Sequence, residues 1–253
     1  MIDRHNRILK TIELLRTVSV AELKEKLKVS EVTIRKDLTI LEDQGLIIRT
    51  HGGARMAQDP GSLRTLTIRE KENTEYKRAI ARKASELVSD GETVFIDSGS
   101  TCMAIARELK NRTLRVITNA LSILNILAGS ETITLHSIGG SYRREAGSFI
   151  GPLSLTNLNE YQIETCFVGA TGFTQRGIFS SQNIAEGQVK KQILLSSARK
   201  IIAADSTKAG KQAFSVFARP GEVDILITDY DLKNQDFIES FLKTGIELII
   251  AEK

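Results

Sequence analysis

Two helix starts separated by a tight turn constrain the fold of this chain more than any other feature. Ser19 and Glu22 have the spacing of a capping box, which predicts that a helix begins after Ser19. Lys28 and Val29 predict a tight turn, and Ser30 then has the position of a cap for the next helix. These twenty residues predict two short helices joined by a turn, which is either a plain helical hairpin or a device for reading DNA.

The second of these helices is expected to expose a polar face. Ile34, Leu38 and Leu41 recur at spacings of four and three, which predicts the buried stripe. The opposite side and its margins carry hydroxyl, basic and small apolar groups, at Val32, Thr33, Arg35, Lys36 and Thr39. Such groups suit the major groove of DNA. Arg35 and Lys36 taken alone fit a solvated helix surface equally well.

The neighbouring segments favour DNA binding. The pattern predicts a helix over 3–16, an end to the second helix of the pair at Gly45, and a hairpin over 46–54 that turns near Gly52-Gly53. Three helices followed by a hairpin are the plan of a winged helix-turn-helix. The predicted DNA-binding residues combine helix-start hydroxyls, the exposed helix face and the hairpin: Ser19, Ser30, Val32, Thr33, Arg35, Lys36, Arg49 and His51.

The charge distribution supports this prediction only weakly. Residues 1–55 hold 11 Lys and Arg against 8 Asp and Glu, whereas residues 91–253 hold 17 of each. An excess of three cations is small for a nucleic-acid-binding domain. The prediction therefore depends on the helices and their caps.

The rest of the chain alternates between strand-like and helix-like segments. Strands are predicted at 93–97, 114–118, 132–138, 165–170, 200–205, 223–229 and 246–251, and helices at 72–88, 101–110, 120–128, 152–160, 184–198 and 234–244. This alternation predicts an α/β domain around a largely parallel sheet. The expected organisation is a winged helix-turn-helix at 1–57, a linker at 58–75 and a sensor domain at 76–253.

Composition excludes several classes of protein. Cys102 and Cys166 lie among apolar neighbours and are too few for a disulfide framework or a cysteine-rich zinc site. No metal site and no cofactor is predicted. Apolar runs are too short to span a bilayer, and the N-terminal segment lacks the apolar core of a signal peptide. A cytoplasmic protein without membrane association is expected.

A candidate anion site begins at the sequence DSGST, residues 97–101. It ends a predicted strand and starts a helix, so Ser98, Gly99, Ser100 and Thr101 could hold a phosphate at the helix N-terminus beside Asp97. The spacing is that of neither a Walker A loop nor a dinucleotide-binding loop. An ordinary strand-to-helix turn is an equal alternative.

Further residues are expected to converge on the same edge of the sheet. Thr118 and Asn119 end the next strand, and the GGSYR segment at 139–143, with Gly140, follows the strand after it. Glu186 lies early in a helix, and Lys208 lies in a loop after a strand. Lys208 is placed to meet a phosphate or a sugar oxygen. For Glu186, Lys190 and Lys208, a surface position is the competing interpretation.

The N-terminal stretch resembles the signature of the DeoR/GlpR family of bacterial regulators. The resemblance is carried by Ser30, T-I-R-K-D-L at 33–38, Leu41-Glu42, Gly45 and Gly52-Gly53. Asp37 is unusual within a DNA-facing helix and is expected to pair with a nearby arginine. The resemblance continues through DSGST, TN, GG, the glutamate-bearing helix and DSTKAG, and covers residue 3 to about residue 250.

The resemblance implies a sensor domain similar to ribose-5-phosphate isomerase and an effector that is a phosphorylated sugar or sugar alcohol. Those isomerases carry a D-G-A-D-E stretch, and the corresponding run here has Val168 and Thr171 in place of both aspartates. Glu186 and Lys208 match the isomerases' glutamate and lysine. Many family members retain an aspartate where Thr171 stands, so its absence leaves the identity of the effector open.

The expected function is a sequence-specific transcriptional regulator, a repressor of a carbohydrate-metabolism operon whose operator affinity changes when the effector binds. The alternative is a sugar-phosphate isomerase-like enzyme with a DNA-binding appendage, and the missing aspartates argue against it. The expected partners are double-stranded operator DNA and the phosphorylated effector. Two half-sites on an operator require at least a dimer, so a homodimer or homotetramer is expected.

Overall fold

Residues 2–15, 17–43, 46–56 and 66–253 are described in a computed structural model of the protein. They fall into two units, Met1–Thr65 and Leu66–Lys253. Within the predicted linker, 58–65 lies outside the described residues, whereas 66–71 is helical and belongs to the second unit. The predicted boundaries of the DNA-binding domain, linker and sensor stay predictions.

The described residues of the N-terminal unit form three helices and a small sheet. In chain order these elements are α1 (Ile2–Leu15), β1 (Thr17–Ser19), α2 (Val20–Leu27), α3 (Glu31–Asp43), β2 (Ile47–Thr50) and β3 (Gly53–Met56). Each helix contributes fully buried aliphatic side chains to one core, among them Ile8, Leu23 and Ile34. The predicted stop of α3 at Gly45 lies outside the described residues.

The predicted helix caps are confirmed. The Glu22 amide donates to Ser19 Oγ at 3.2 Å, and the Ser19 amide donates to Glu22 Oε2 at 2.7 Å, which completes the capping box. The Thr33 amide donates to Ser30 Oγ at 3.2 Å at the start of α3. Between the helices, Lys28 adopts a left-handed conformation with φ of 54°. Hydrogen bonds between residues three positions apart therefore fix the start of α2 and the start of α3.

The hairpin is also confirmed, but it belongs to a three-stranded sheet. β2 pairs antiparallel with β3, and Thr50 lies opposite Gly53. β1, which the sequence pattern did not predict, pairs with the other edge of β3. A Cβ atom on Gly53 would lie 2.1 Å from the carbonyl oxygen of Val18, so this position accepts only glycine. The start of α2 and the wing are thereby fixed to each other.

A seven-stranded parallel sheet forms the centre of the C-terminal unit, in agreement with the predicted α/β class. The helices of this unit are α4 (Leu66–Lys71), α5 (Thr74–Glu86), α6 (Ser100–Leu109), α7 (Leu121–Leu127), α8 (Pro152–Leu158), α9 (Ile184–Leu195) and α10 (Gln235–Leu242). The strands of the main sheet are β4 (Thr93–Ile96), β5 (Leu114–Thr118), β6 (Ile133–Ser137), β9 (Ile163–Gly169), β12 (Ser197–Ala203), β14 (Ile225–Asp229) and β15 (Glu247–Ala251). Their order is β15-β14-β12-β9-β4-β5-β6, and all six pairings are parallel.

Apolar side chains cover both faces of this sheet. Val94 and Ile96 belong to one buried cluster, and Phe95 belongs to a second one. Successive residues of a strand point to opposite faces, so the clusters lie on opposite sides of the sheet. Burial on both faces explains why these strands are continuous apolar runs in the sequence.

Several short elements were not predicted. They are α4 and the strands β7 (Ser141–Arg143), β8 (Ser148–Ile150), β10 (Gly172–Phe173), β11 (Phe179–Ser181) and β13 (Ser215–Ala218). β7 and β8 form an antiparallel pair, and β10, β11 and β13 form a second small sheet. Segments of two to six residues are too short to show a periodic pattern.

Within the described part of the chain, no helix has the length and apolar character that a bilayer span needs.

Cys102 and Cys166 are both buried, and they form no disulfide with each other. Burial raises the pKa of the Cys166 thiol to about 11, which suits an inert core side chain. The same residues contain no group of three or more His, Cys, Asp or Glu arranged to hold a metal ion.

Candidate functional site

Asp97 organises the candidate site at the carboxyl ends of the central strands. It directly follows β4 and is completely buried. Its Oδ2 accepts hydrogen bonds from Lys190 Nζ and, at 3.2 Å, from the Gly169 amide. Its Oδ1 accepts one from Asn119 Nδ2 at 3.0 Å. One carboxylate therefore fixes the ends of β4, β5 and β9 and a lysine on α9.

Lys190 is a buried member of the site. It is only 6% exposed, and its Nζ also donates to the Gly169 carbonyl at 3.0 Å. Burial acts to lower the pKa of Lys190, but the charges of Asp97 and Glu186 outweigh that effect and the pKa is raised. The surface interpretation is wrong for Lys190 and for Glu186, which is also 6% exposed.

Asn119 presents an acceptor that has no partner in the described part of the chain. Because a carboxylate only accepts, the Asn119 amide group must turn its NH₂ toward Asp97. Its Oδ1 is then buried, with no hydrogen-bond partner among the described residues, and so is the hydroxyl of Ser148. The Phe149 amide donates to the Asn119 carbonyl at 2.7 Å, so the two unpaired groups lie on adjacent segments. Buried polar atoms of this kind are rare and suit a ligand with hydroxyl groups.

The DSGST segment starts α6 as predicted. Gly99 has a φ of 123°, a conformation that favours glycine, and precedes the helix. No side chain of the described residues caps this end of α6, so its first amides have no side-chain acceptor there. Ser98, Ser100 and Thr101 are each 8% exposed. An uncapped helix N-terminus is a suitable place for an anion.

Thr118 and Gly140 have structural roles that account for their identity. The Thr118 hydroxyl donates to the Ile96 carbonyl at 2.6 Å and accepts from the Ala120 amide at 3.0 Å. A Cβ atom on Gly140 would lie 2.0 Å from Ser154 Oγ, so packing against α8 requires glycine there. Their contact with an effector stays a prediction.

An arginine from the GGSYR segment joins Glu186. Arg143, at the end of β7, donates through Nη1 to Glu186 Oε1, and the two side chains form an ion pair. Glu186 lies in the first turn of α9, whose N-terminus is capped by Asn183 through a 3.2 Å bond to the Glu186 amide. The segment over 139–143 therefore does approach the glutamate-bearing helix.

Lys208 ends a short 3₁₀ helix, Ser206–Lys208, after β12. Asp205 caps this turn through a 3.2 Å bond from the Thr207 amide. The Lys208 side chain is half-buried and has no hydrogen bond or ion pair with the described residues. Lys77 on α5 lies close by: burial lowers the pKa of Lys77, while the charge of Asp205 opposes this and that of Lys208 adds to it.

Four cationic residues of this region were missed or undervalued by sequence reasoning: Arg69, Lys77, Arg143 and Lys190. The charges of Glu186 and Arg143 both act on Arg69 on α4. Lys77 is 5% exposed and donates to the carbonyls of Arg69 and Glu72. No local pattern distinguishes such residues from surface cations, because their partners are distant in sequence.

Helix α3 carries the predicted exposed face. Val32 is 64% exposed, and Arg35, Lys36 and Thr39 are exposed beside it. Arg35 donates to Glu31 Oε1 at 2.6 and 3.0 Å, an ion pair between two half-exposed side chains one helical turn apart. Such pairs contribute little to stability, so Arg35 can exchange this partner for a phosphate at little cost.

Asp37 does not face the DNA-binding side. It is 2% exposed and accepts bonds from Arg4 on α1 at 2.5 and 2.8 Å and one from His5 at 3.0 Å. The predicted pairing with an arginine is confirmed. The hydrogen bonds from Arg4 lower the pKa of Asp37, burial opposes this, and His5 adds to the lowering. Asp37 therefore holds α3 to α1.

The remaining predicted DNA-binding residues lie on the wing and at the starts of α2 and α3. His51 is exposed at the turn of the wing, and the Arg49 amide donates to Glu42 Oε1 at 3.1 Å. The hydroxyls of Ser30 and Thr33 lie 2.8 Å apart. Ser19 is bound to Glu22 through its amide and its hydroxyl. Their contact with DNA stays a prediction.

Comparison with known proteins decides the family. The DeoR-like helix-turn-helix domain matches residues 4–59, and the DeoR C terminal sensor domain matches residues 72–230. The chain belongs to the DeoR family. It is a DNA-binding transcriptional repressor built on the DeoR plan, and the enzyme alternative is not favoured.

Two relatives match over nearly their whole lengths. The lactose phosphotransferase system repressor of Lactococcus lactis subsp. lactis is 36% identical over 245 residues, which are 94% of this chain and 96% of the relative. The HTH-type transcriptional repressor GlcR of Bacillus subtilis is 32% identical over 252 residues, which are 100% of this chain and 93% of the relative. Both are named as repressors, not as enzymes.

Solved structures give a more distant likeness. Ribose 5-phosphate isomerase A of Methanocaldococcus jannaschii aligns with 55% of this DeoR-family chain and 55% of its own, at a TM-score of 0.42 and 20% identity. The eIF2B delta subunit of Chaetomium thermophilum aligns with 78% of this chain and 63% of its own, at a TM-score of 0.47 and 11% identity. These likenesses are too distant to bear on function.

Proposed function

We propose that this protein represses a carbohydrate-metabolism operon in the cytoplasm and that a phosphorylated sugar or sugar alcohol changes its affinity for operator DNA. The observation that carries the effector proposal is the uncapped N-terminus of α6 beside the unpaired Asn119 Oδ1. A phosphate suits the free amides, and a sugar hydroxyl suits the free acceptor. The relative named as a lactose phosphotransferase system repressor supports a carbohydrate operon.

The predicted effector residues take different roles in this proposal. Ser98, Gly99, Ser100 and Thr101 surround the phosphate, and Lys208 supplies a cation. Asn119 accepts from a hydroxyl, and Glu186 meets another hydroxyl or the arginine beside it. Asp97, Thr118 and Gly140 hold the frame, since their polar atoms or packing positions are already occupied.

Turnover is not expected from this arrangement. A general base needs a carboxylate that is free to take a proton. Asp97 already accepts hydrogen bonds from four groups, one of which is its ion-pair partner Lys190, and Glu186 is paired with Arg143. Val168 and Thr171 stand where the isomerases have aspartates. The site therefore suits binding without reaction.

The proposed mechanism is thermodynamic linkage between effector binding and operator binding. The effector binds one conformation or assembly of the sensor better, and this shifts the geometry of paired DNA-binding units on the two operator half-sites. A coupling of about 1–3 kcal/mol changes operator affinity roughly 5- to 150-fold. A homodimer or homotetramer is proposed on the same two-fold argument.

Fluorescence anisotropy on labelled DNA from upstream of the protein's own gene tests the DNA-binding part. We expect salt-dependent binding that weakens at least about tenfold when Arg35 and Lys36 are both replaced by alanine, because two phosphate or base contacts are lost. Lys10→Ala removes an exposed lysine of α1 and serves as the control, with little change expected. Absence of sequence-specific binding at low salt would overturn the proposal.

The effector part is tested by adding a panel of hexose, pentose and sugar-alcohol phosphates to the protein–DNA complex. At least one member is expected to change the anisotropy, and no member is expected to be converted to a product. Lys208→Ala is expected to need roughly tenfold more of that compound, because a charge-assisted contact is lost. Lys211→Ala, an exposed neighbour, is the matched control. If Lys208→Ala responded like the wild type, the role of Lys208 would be wrong.

A further inference from the structure

Strand β15 forms one end of the seven-stranded sheet. Its residues, Glu247–Ala251, all pair in parallel with β14, and no strand of the described residues pairs with its other edge. One face of β15 carries Ala251 in the apolar cluster to which α5 contributes. The opposite face carries Leu248, which packs against the cluster that includes Phe241 of α10. Both faces of β15 are therefore covered, while its outer edge is open to a further strand.

The hydrogen bonds to β14 show which backbone groups of β15 point outward. The Glu247 amide donates to the Asp224 carbonyl at 2.9 Å, so Glu247 faces β14. Successive residues of a strand direct their amide and carbonyl to opposite sides. Leu248 and Ile250 therefore present theirs to the outer edge, and continuing the strand by one residue adds Glu252. Free amides and carbonyls in a row are a template for pairing with another chain.

β15 also lacks the features that usually protect an edge strand. Lysine, proline and β-bulges are such features, and β15 contains none of them between its first and last residues. Its centre is aliphatic, and the Ile250 side chain is 37% exposed. The strand at the opposite end of the sheet, β6, instead exposes Thr134 and His136. β15 is thus the more apolar of the two edges of this sheet.

The outer edge of β15 is complementary to a second copy of itself. In an antiparallel pair with two-fold symmetry, one residue lies opposite its own copy. With Ile250 in that position, the amide and carbonyl of each Ile250 bond to those of the other. Leu248 then exchanges the same two bonds with Glu252 of the second copy. Every outward backbone group of this segment finds a partner in that register.

The charged side chains of the segment favour the same register. It places Glu247 opposite Lys253 of the second copy, and the symmetry repeats this pair. Opposite charges directly across antiparallel strands are favourable. Both side chains are exposed, and the present contact of Lys253 is the Tyr230 ring, whose centroid lies 5.9 Å from Nζ. Moving the axis to Ile249 would put Glu247 opposite Ala251 and would lose the ion pair.

We propose that β15 is the interface between two copies of this chain, which pair antiparallel about a two-fold axis at Ile250 and thereby join two seven-stranded sheets into one. This inference rests on the homodimer or homotetramer of the proposed function and assigns that assembly a contact. A second copy is the occupant because the hydrogen-bonding groups and the charges of β15 both match those of β15 itself. In the same register Ile249 packs beside Ala251 of the other copy, which extends the apolar cluster that both residues contact.

Sedimentation velocity of the full chain over a concentration series compares wild type, Glu247→Lys, Lys253→Glu and the double variant. Each single variant places like charges opposite each other at two symmetric positions, so the dissociation constant of this contact is expected to rise about tenfold. The double variant restores opposite charges in exchanged positions and is expected to return to within about threefold of wild type. Glu160→Lys, at an exposed position after α8, is the control and is expected to leave the constant unchanged.

Unchanged dissociation constants in both single variants would overturn the interface. Weakening in both without recovery in the double variant would overturn the register.

A disulfide at the proposed axis gives an independent test. Ile250→Cys places two introduced thiols on strands whose Cα atoms are about 5.5 Å apart in a hydrogen-bonded antiparallel pair, a distance that a disulfide can bridge. Cys102 and Cys166 are buried and do not compete. Oxidised glutathione is expected to convert most of this variant into a covalent dimer on a non-reducing gel. Leu153→Cys, at a side chain that is 58% exposed on α8, is the control and is expected to stay uncrosslinked. Absence of the covalent dimer in Ile250→Cys would overturn the placement of the axis.

These outcomes separate the two proposals. If the wild type is monomeric both free and on operator DNA, the proposed assembly fails and this inference fails with it. If the wild type is an oligomer, but the charge reversals leave it unchanged and Ile250→Cys forms no covalent dimer, only this inference fails.

Discussion

The ion pair on the recognition helix is open to solvent, whereas the ion pair at the centre of the sensor is closed off from it. The side chains of Arg35 and Glu31 are 50% and 53% exposed, and those of Lys190 and Asp97 are 8% and 0% exposed. An exposed pair gives up its partner at little cost, but a buried pair cannot be broken without leaving a charge in the interior. The first pair is suited to exchanging partners with DNA, and the second is suited to holding strands in place.

This difference separates binding groups from framework groups. Charged residues close to a site are often all assigned to the ligand. Here Asp97 and Lys190 satisfy each other, which leaves Lys208 and Asn119 Oδ1, whose side-chain groups have no partner among the described residues, to respond to an effector. Three substitutions test whether the buried pair is framework and the exposed pair is exchangeable, and their expected effects decrease in the order given.

The largest effect is expected for Lys190→Met. It leaves Asp97 buried without its counter-ion and should lower the free energy of unfolding of the C-terminal unit by about 3–5 kcal/mol. Urea denaturation followed by circular dichroism measures this. The control is Lys191→Met at the adjacent exposed lysine, whose nearest carboxylate is 3.8 Å away. A loss under about 1 kcal/mol for Lys190→Met would contradict the framework role.

An intermediate effect is expected for Asp37→Asn, since this buried pair has a partly exposed partner in Arg4. Loss of a hydrogen bond to a charged group should cost about 1.5–3 kcal/mol of stability in the N-terminal unit. The pKa of Asp37 is lowered in the folded state, so its contribution is complete above the unfolded pKa of about 4 and is lost as the pH falls through the folded value.

Unfolding of wild type and Asp37→Asn at a series of pH values checks this sign. The difference in stability should be constant near neutral pH and shrink below about pH 4. Asp43→Asn, at an exposed position of the same helix, should show no comparable difference. A difference that grew toward acid pH would contradict the assignment.

The smallest effect is expected for Glu31→Gln. Removing this exposed carboxylate should change the stability by at most about 0.5 kcal/mol. Operator affinity should rise about twofold, because Arg35 no longer has a competing partner and a negative charge near DNA is gone. Anisotropy titrations at two salt concentrations measure it, with Asp43→Asn as the control. Weaker DNA binding by Glu31→Gln would show that the pair orients Arg35.

Local signals explain what could be predicted from the sequence. The caps at Ser19 and Ser30 depend on residues three positions away, and the apolar stripe of α3 lies within one helix. These predictions were confirmed. So was the parallel sheet, because strands buried on both faces are continuous apolar runs.

Distant partners explain what could not be predicted. Lysine is rarely buried, and the partners of the buried Lys190 are distant in sequence: Asp97 lies 93 residues away and Gly169 lies 21 residues away. Arg143 and Glu186 are 43 residues apart, and β1 pairs with a strand more than thirty residues later. The short α4 was assigned to a linker because six residues carry too little pattern. A single sequence does not show which residues far apart along the chain contact each other.

The pairing of β1 with β3 limits which segment of this chain could be transferred to another regulator. Regulators are often re-targeted by transplanting a recognition helix and its wing as one cassette. Here the backbone of Val18 fits against Gly53, and no side chain is tolerated at that contact. A transplanted hairpin without residues 17–19 would lose one of its two neighbouring strands. A segment transferred from this chain therefore has to include residues 17–19 with the wing, and also α1, because Arg4 and His5 hold the buried Asp37 of α3.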